Sequence, residues 1–237
     1  MSPPERAHRS PTLTVLAHGE VELLGRMPWS SNNTFLASVC LDGVTVEAVY
    51  KPGRGERPLW DFPPGLYRRE LAAYLLSEAL GWGLVPETVV RDGPLGEGSF
   101  QRFVPADFAQ HYFTLLEDPA HHDALRAICL FDLVANNADR KGGHCLLAAG
   151  RVWAIDNGLC FHAQPKLRTV IWDFGGEPVP PALAADVARL AADPPPPLLA
   201  LLAPDEAAAL CARARRAARL SRFPHPGPGH PYPWPMV

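Results

Sequence analysis

The sequence predicts an α+β chain of two lobes, with a β-rich first half and a helical second half. Three observations carry this. Strand-like stretches joined by turn signals fill the region before about residue 105, interrupted by one helical stretch. Helical periodicity and Ala-rich segments dominate beyond it, around a single further hairpin. The chain then closes on a Pro-rich stretch, FPHPGPGHPYPWPMV, expected to be extended. The expected division is a first lobe over 12–105, a second over 106–222 and a tail over 223–237.

At 237 residues the chain can bury a sizeable core. A hydrophobic share of 47% with 20% charged residues makes it globular rather than disordered. The formal net charge of −3 gives neither the basic footprint of a nucleic-acid binder nor a polybasic membrane patch. The five cysteines (Cys40, Cys129, Cys145, Cys160, Cys211) are odd in number, dispersed and without a C-x-x-C. Free thiols in a reducing compartment are expected, not a disulfide framework or a zinc site. Met1 to Thr12 lacks the apolar core of a signal peptide, and no run of about eighteen apolar residues exists. A cytoplasmic protein without stable membrane insertion is expected.

The elements follow in order. Residues 1–11 read as a loose tail. Glu20 to Met27 alternates as a strand, Pro28 to Asn33 turns, and Thr34 to Leu41 is a second strand. Asp42-Gly43 is a strong hairpin signal, and Val44 to Lys51 completes the hairpin with β-branched residues. After a Pro/Gly-rich loop, Tyr67 to Leu80 places Leu71, Tyr74, Leu75 and Ala79 on one helical face, and Gly81 stops it. Thr88 to Arg91 and Ser99 to Val104 read as strands around Asp92-Gly93. Residues 106–122 give no clear pattern. Asp123 to Ala135 is helical by periodicity, CLLAAGRVWAIDNG is a hairpin around Ala149-Gly150, and Pro181 to Ala192 and Asp205 to Ser221 are Ala-rich helices separated by the run Pro194–Pro197.

Four polar residues fall in a telling order. Lys51 closes the third strand, Glu70 lies on the next helix, Asp139 sits in the polar loop NNADRKGGH, and Asp156 ends the following hairpin in AIDNG. Phosphoryl transfer needs a cation on the nucleotide phosphates, a carboxylate to hold that cation, a base or positioner for the acceptor, and a metal-binding carboxylate. Asp139 and Asp156 are 17 residues apart, room for one hairpin, so both carboxylates can return to the same end of a sheet. Each residue alone has an ordinary reading, as a solvated charge or a turn residue; the joint order and element type carry the argument.

These pieces resemble a phosphatidylinositol 3-/4-kinase-like family of the protein-kinase-like superfamily, and within it a small family found mainly in actinobacteria. They are similar in outline to type II phosphatidylinositol 4-kinases and HipA-like kinases. The matching stretches are SSNNTF, VYKP, NADR and AIDNG, within about Val21 to Phe174. The resemblance implies a two-lobed protein-kinase-like fold, with an antiparallel sheet and one helix in the first lobe and a mainly helical second lobe. It implies ATP with Mg²⁺ or Mn²⁺, an unidentified hydroxyl acceptor, and no nucleic-acid partner. Ser30, Ser31, Asn32 and Asn33 would cover the phosphates, Lys51 would contact them with Glu70 orienting it, and Gln101, Arg102 and Phe103 would lie under the adenine. Asp139, with Arg140 beside it in the catalytic loop, would handle the acceptor proton. Asp156 would hold the metal, with His144 standing where related kinases carry Asn. An imidazole ligand at that place implies Mn²⁺ over Mg²⁺. The phosphate loop has no glycine, and Lys141 stands where lipid kinases carry His.

Two other classes stay open: a nucleotide-binding pseudokinase acting as a regulatory module, and a metal-dependent hydrolase using Asp139, His144 and Asp156. The triplet Asp173-Phe174-Gly175 imitates a kinase metal motif, but it stands 34 residues after Asp139 and does not end the hairpin. His111, His121, His122 and His162 match no standard metal spacing. Trp82, Trp153 and Trp172 read as core. In the segment after Asp156, Lys166 and Arg168 are the only cations that could select an acceptor.

Overall fold

The computed structural model describes residues 10–28 and 33–237. The chain divides into two compact units: residues up to Tyr67 with Glu87–Phe103, and Arg68–Pro86 with Val104–Val237.

The first unit opens with a helix that the sequence did not announce, α1 (Pro11–His18). Pro11 starts it with a preset φ, but eight residues are too few to display a helical period. Arg91 caps its C-terminal end, donating to the carbonyls of Leu16 (3.1 Å) and Gly19 (2.8 Å). The strands are β1 (Glu20–Arg26), β2 (Phe35–Leu41) and β3 (Val44–Pro52). Between them Asp42 (φ 49°) and Gly43 (φ 80°) make the expected two-residue turn. Helix α2 (Leu66–Leu80) then precedes β4 (Thr88–Gly93) and β5 (Gly96–Arg102). The five strands form one antiparallel sheet in the order β1-β2-β3-β5-β4. The last hairpin turns at Pro94-Leu95 and not at Asp92-Gly93, because Gly93 pairs with Gly96.

Strand alternation assigns the faces. Ala37, Val39, Ala48, Tyr50 and Phe100 pack with Val15 and Leu16 of α1 as a buried core. The rings of Tyr50 and Phe100 stack at 4.2 Å. Lys51, one residue on from Tyr50, therefore belongs to the other face, opposite Ser99 of β5. The two strands approach too closely there for a side chain. A Cβ on Gly98 would overlap the Lys51 carbonyl oxygen and come within 2.7 Å of the Pro52 Cα. Gly98→Ala is therefore expected to destabilise by about 1–3 kcal/mol and to displace the Lys51 end of β3. Urea unfolding and the Lys51 amide shift would read both effects, and an unchanged unfolding midpoint would refute the close-approach argument.

The second unit contains α3 (Tyr112–Leu115), α4 (His122–Ala135), β6 (Cys145–Ala148) and β7 (Arg151–Ala154), then α5 (Pro181–Ala192), α6 (Pro196–Leu199) and α7 (Pro204–Ala217). The β6–β7 hairpin turns at Ala149 (φ 50°) and Gly150 (φ 72°), as expected. The proline run contributes the short α6, and α7 ends four residues before Ser221.

The expected first lobe of 12–105 differs from this division, since Arg68–Pro86 of α2 and its following loop group with the second unit. The reason lies in α2's buried polar side chains. Arg69 donates to the Cys160 carbonyl (2.5 Å) and pairs with Glu206 (2.5 Å). Ser77 accepts the N–H groups of Leu84 and Val85. Trp82, Trp153 and Trp172 are half-buried rather than core. Trp82 donates to Asp186 (2.9 Å), Trp172 to the Pro231 carbonyl (3.2 Å), and the Arg151 guanidinium lies 4.3 Å over the Trp153 ring. All five thiols are free; Cys129, Cys145 and Cys160 are buried, and burial pushes the Cys145 thiol up to about 12. No helix among the described residues is long and apolar enough to cross a membrane.

Candidate active site

The loop after α4 is built on a buried polar network. From Ala127 onward helix α4 is apolar except for Asp132, which is fully buried in its last turn. A carboxylate there requires a partner. Arg140, also fully buried, supplies it: Nε lies 3.1 Å from both Asp132 oxygens and Nη2 3.0 Å from Oδ1. Asn137 Nδ2 (3.0 Å) and Thr169 Oγ1 (3.2 Å) also donate to Asp132. Burial pushes the Asp132 carboxyl up, while Arg140, Asn137 and Thr169 pull it back. Burial works against the charge of Arg140, while the charge and hydrogen bonds of Asp132 favour it, and the net shift of the guanidinium is upward.

The rest of Arg140 reaches the other half of the loop. Nη1 donates to the Ile155 carbonyl (2.8 Å) and Nη2 to Asn157 Oδ1 (2.6 Å). Asn157 in turn gives its backbone N–H to Glu70 Oε2 (3.0 Å). Glu70 is thus a buried anchor of the turn that carries Asp156. Asp156 itself sits at φ 55°, left-handed backbone that an Asp tolerates. The network holds this conformation by fixing Ile155 before it and Asn157 after it.

Between these supports the expected residues converge. Asn137 Oδ1 accepts the Asp139 N–H (2.9 Å). The Asp139 carboxylate lies 3.3 Å from Lys141 Nζ. Burial pushes the Asp139 carboxyl up to about 6 against the pull of the Lys141 ammonium, and the Asp156 charge adds to the rise. His144 joins the two aspartates: its Nδ1 is 2.9 Å from the Asp139 carbonyl and its Nε2 is 3.3 Å from Asp156 Oδ2. The Lys141 N–H is farther from Nδ1, at 3.4 Å, so the shorter contact favours Nδ1–H donating to Asp139. Nε2 then presents a lone pair to a carboxylate oxygen. Two acceptors at that distance call for a proton or a cation between them.

Asp139, Arg140, His144, Asp156 and Glu70 are therefore brought together in the second unit. The Arg140 guanidinium is fully buried and bonded to Asp132, Ile155 and Asn157. Lys51, Asn33, Gln101, Arg102 and Phe103 belong to the first unit. Asn33 gives its N–H to the Gly55 carbonyl (3.2 Å); Ser30, Ser31 and Asn32 lie outside the described residues. Gln101 donates to Thr88 Oγ1 (3.0 Å), Arg102 pairs with Glu87 (2.6 Å), and the Phe103 N–H bonds the Glu47 carbonyl.

Asp173 is engaged elsewhere. It accepts the Tyr112 hydroxyl (2.5 Å), and Phe174 packs near Phe223 and under Arg126. Among the described residues no group of three or more His, Cys, Asp or Glu side chains could hold a metal ion. Sequence reasoning missed Asp132, Asn137 and Asn157. Asp132 alone had a signal, a lone acid in the apolar stretch ICLFDLVA.

The fold is protein-kinase-like. The chain superposes on the Golgi casein kinase with Mn/ADP bound at a TM-score of 0.56, with 14% identity over 87% of this chain and 74% of that one. It superposes on the Helicobacter pylori proinflammatory kinase CtkA at 0.51, with 12% identity over 88% of this chain and 94% of that one. No protein-family model matches. The chain is 44% identical to Protein Rv2133c of Mycobacterium tuberculosis, over 93% of this chain and 94% of that protein, and belongs to the same family.

Proposed function

We propose that the protein is an ATP-dependent phosphotransferase of the phosphatidylinositol 3-/4-kinase-like superfamily, acting on a hydroxyl acceptor. The observation that carries this reading is the group Asp139–His144–Asp156, held on the buried Asp132–Arg140–Asn157–Glu70 network. A rigid support of this kind is what phosphoryl transfer demands, since its catalysis is positioning and electrostatics. Asp139, with its raised carboxyl, orients the acceptor hydroxyl and takes its proton. Lys51 and the segment 30–33 bind the phosphates, and Gln101 to Phe103 lie along the base.

The donor set fits a divalent ion: one half-exposed carboxylate and one imidazole nitrogen already face each other. Asp156 and His144 would hold Mn²⁺ or Mg²⁺, which when bound would neutralise phosphate charge. A related reading, a nucleotide-binding pseudokinase, is favoured by the Lys141–Asp139 ion pair, which engages the proposed base.

Titration calorimetry with ATP and Mn²⁺ tests the assignment. Asp156→Asn is expected to abolish metal-dependent ATP binding and Asp173→Asn to leave it nearly unchanged. Lys51→Ala is expected to weaken it roughly ten- to hundredfold, the equivalent of about 1.5–3 kcal/mol for a charge-assisted contact. A reversed effect of the two aspartates, or full affinity in Lys51→Ala, overturns the reading.

A further inference from the structure

A cavity of about 820 Å³ opens in the second unit between the segment 163–168, α7 and the Pro-rich tail from Pro224 to Pro231. Its lining carries Lys166, Arg168, Arg213, Arg216 and His230, and not one Asp or Glu. That is a local inversion in a chain whose formal charge is −3. Leu133, Trp172 and Leu220 give the same cavity an apolar wall.

Two of these residues are anchored by the surrounding chain. Arg168 is fixed through its backbone, which bonds the Asn137 carbonyl (2.9 Å) and the Arg140 N–H (3.0 Å). Arg213 is fixed through its side chain, with Nε on the Val134 carbonyl (2.9 Å) and Nη1 on the His162 carbonyl (3.2 Å). Its Nη2 is buried with no hydrogen-bond partner. Arg168, Arg213 and Arg216 form no ion pair among the described residues. Burial pulls the Arg213 pKa down to about 10, which still leaves it charged at neutral pH.

We propose that this cavity is a binding site for a phosphate monoester with an apolar body. The volume falls in the range of small-molecule sites. Guanidinium groups suit phosphate, which offers three acceptor oxygens and close to two negative charges. Trp172 and the leucines cover the apolar part, and the Pro-rich tail serves as one wall of the site. The inference stands independently of phosphoryl transfer.

The test uses the whole 237-residue chain and phenyl phosphate, read by calorimetry and by the Trp172 indole N–H resonance. Phenyl phosphate is expected to bind and to shift that resonance, and benzyl alcohol to do neither. Arg168→Ala and Arg216→Ala are each expected to weaken binding roughly ten- to hundredfold. Phosphatidylcholine vesicles with and without phosphatidic acid distinguish a lipid phosphate from a soluble ester. Sedimentation that requires phosphatidic acid and is lost in Arg216→Ala assigns the site to a lipid. Phenyl phosphate binding without vesicle binding assigns it to a soluble ester. Equal affinity in the wild type and both variants, or no binding of either probe, overturns the proposal.

Discussion

Arg140→Met is expected to destabilise the protein by about 3–5 kcal/mol, the cost of leaving a buried carboxylate without its cation. Asp132 would keep two neutral donors, Asn137 and Thr169, and no counter-charge. Ile155 O and Asn157 Oδ1 would lose their donor at the same time, so the turn at Asp156 would loosen with the core. Adding Asp132→Asn to Arg140→Met should recover part of the loss, because it removes the orphaned charge. Equilibrium urea unfolding of the four proteins in a double-mutant cycle measures the coupling. Additive single effects would mean that the pair does not support the loop.

Asp139→Asn is expected to lower phosphoryl turnover by about 10²–10⁴, the usual contribution of a positioned acid or base. The replacement preserves shape and can still accept hydrogen bonds at its amide oxygen. It also removes a charge that burial disfavours, so stability should hold or rise slightly. ATP affinity should stay close to that of the wild type, since the change falls on the acceptor's proton and not on the nucleotide. Steady-state turnover beside a thermal melt separates the two effects. Wild-type turnover in this variant would remove Asp139 from the chemistry.

Much of the fold was legible because its signals are local. Asp42-Gly43 and Ala149-Gly150 both announce turns that need positive φ, and both form. The β-branched run from Val44 to Lys51 after the Asp42-Gly43 turn placed Lys51 at a strand end. Helix α1 was hidden because its period has no length in which to repeat. The second hairpin was misplaced because Asp92-Gly93 imitates a turn, whereas Gly93 sits there for want of space. A Cβ on it would meet the Phe100 and Tyr50 rings at 2.7 and 2.9 Å.

At the site, the residues projecting from loops were readable from order and spacing, and their supports were not. Asp132 and Arg140 pair across eight positions, Asn157 and Glu70 across 87. Such long-range pairs leave no periodic trace in one sequence. Arg140 looked catalytic because it adjoins Asp139, yet it points into the core. The cationic cavity was half visible: Lys166 and Arg168 could be read, but Arg213, Arg216 and His230 come from distant segments.

The most direct measurement is transfer or release of labelled γ-phosphate from ATP in the presence of Mn²⁺, by the wild type and Asp156→Asn side by side. Phosphotransferase chemistry predicts metal-dependent loss of the label from ATP with the wild type and none above background with Asp156→Asn. ATP bound with its γ-phosphate intact, or equal turnover in the two proteins, would contradict it.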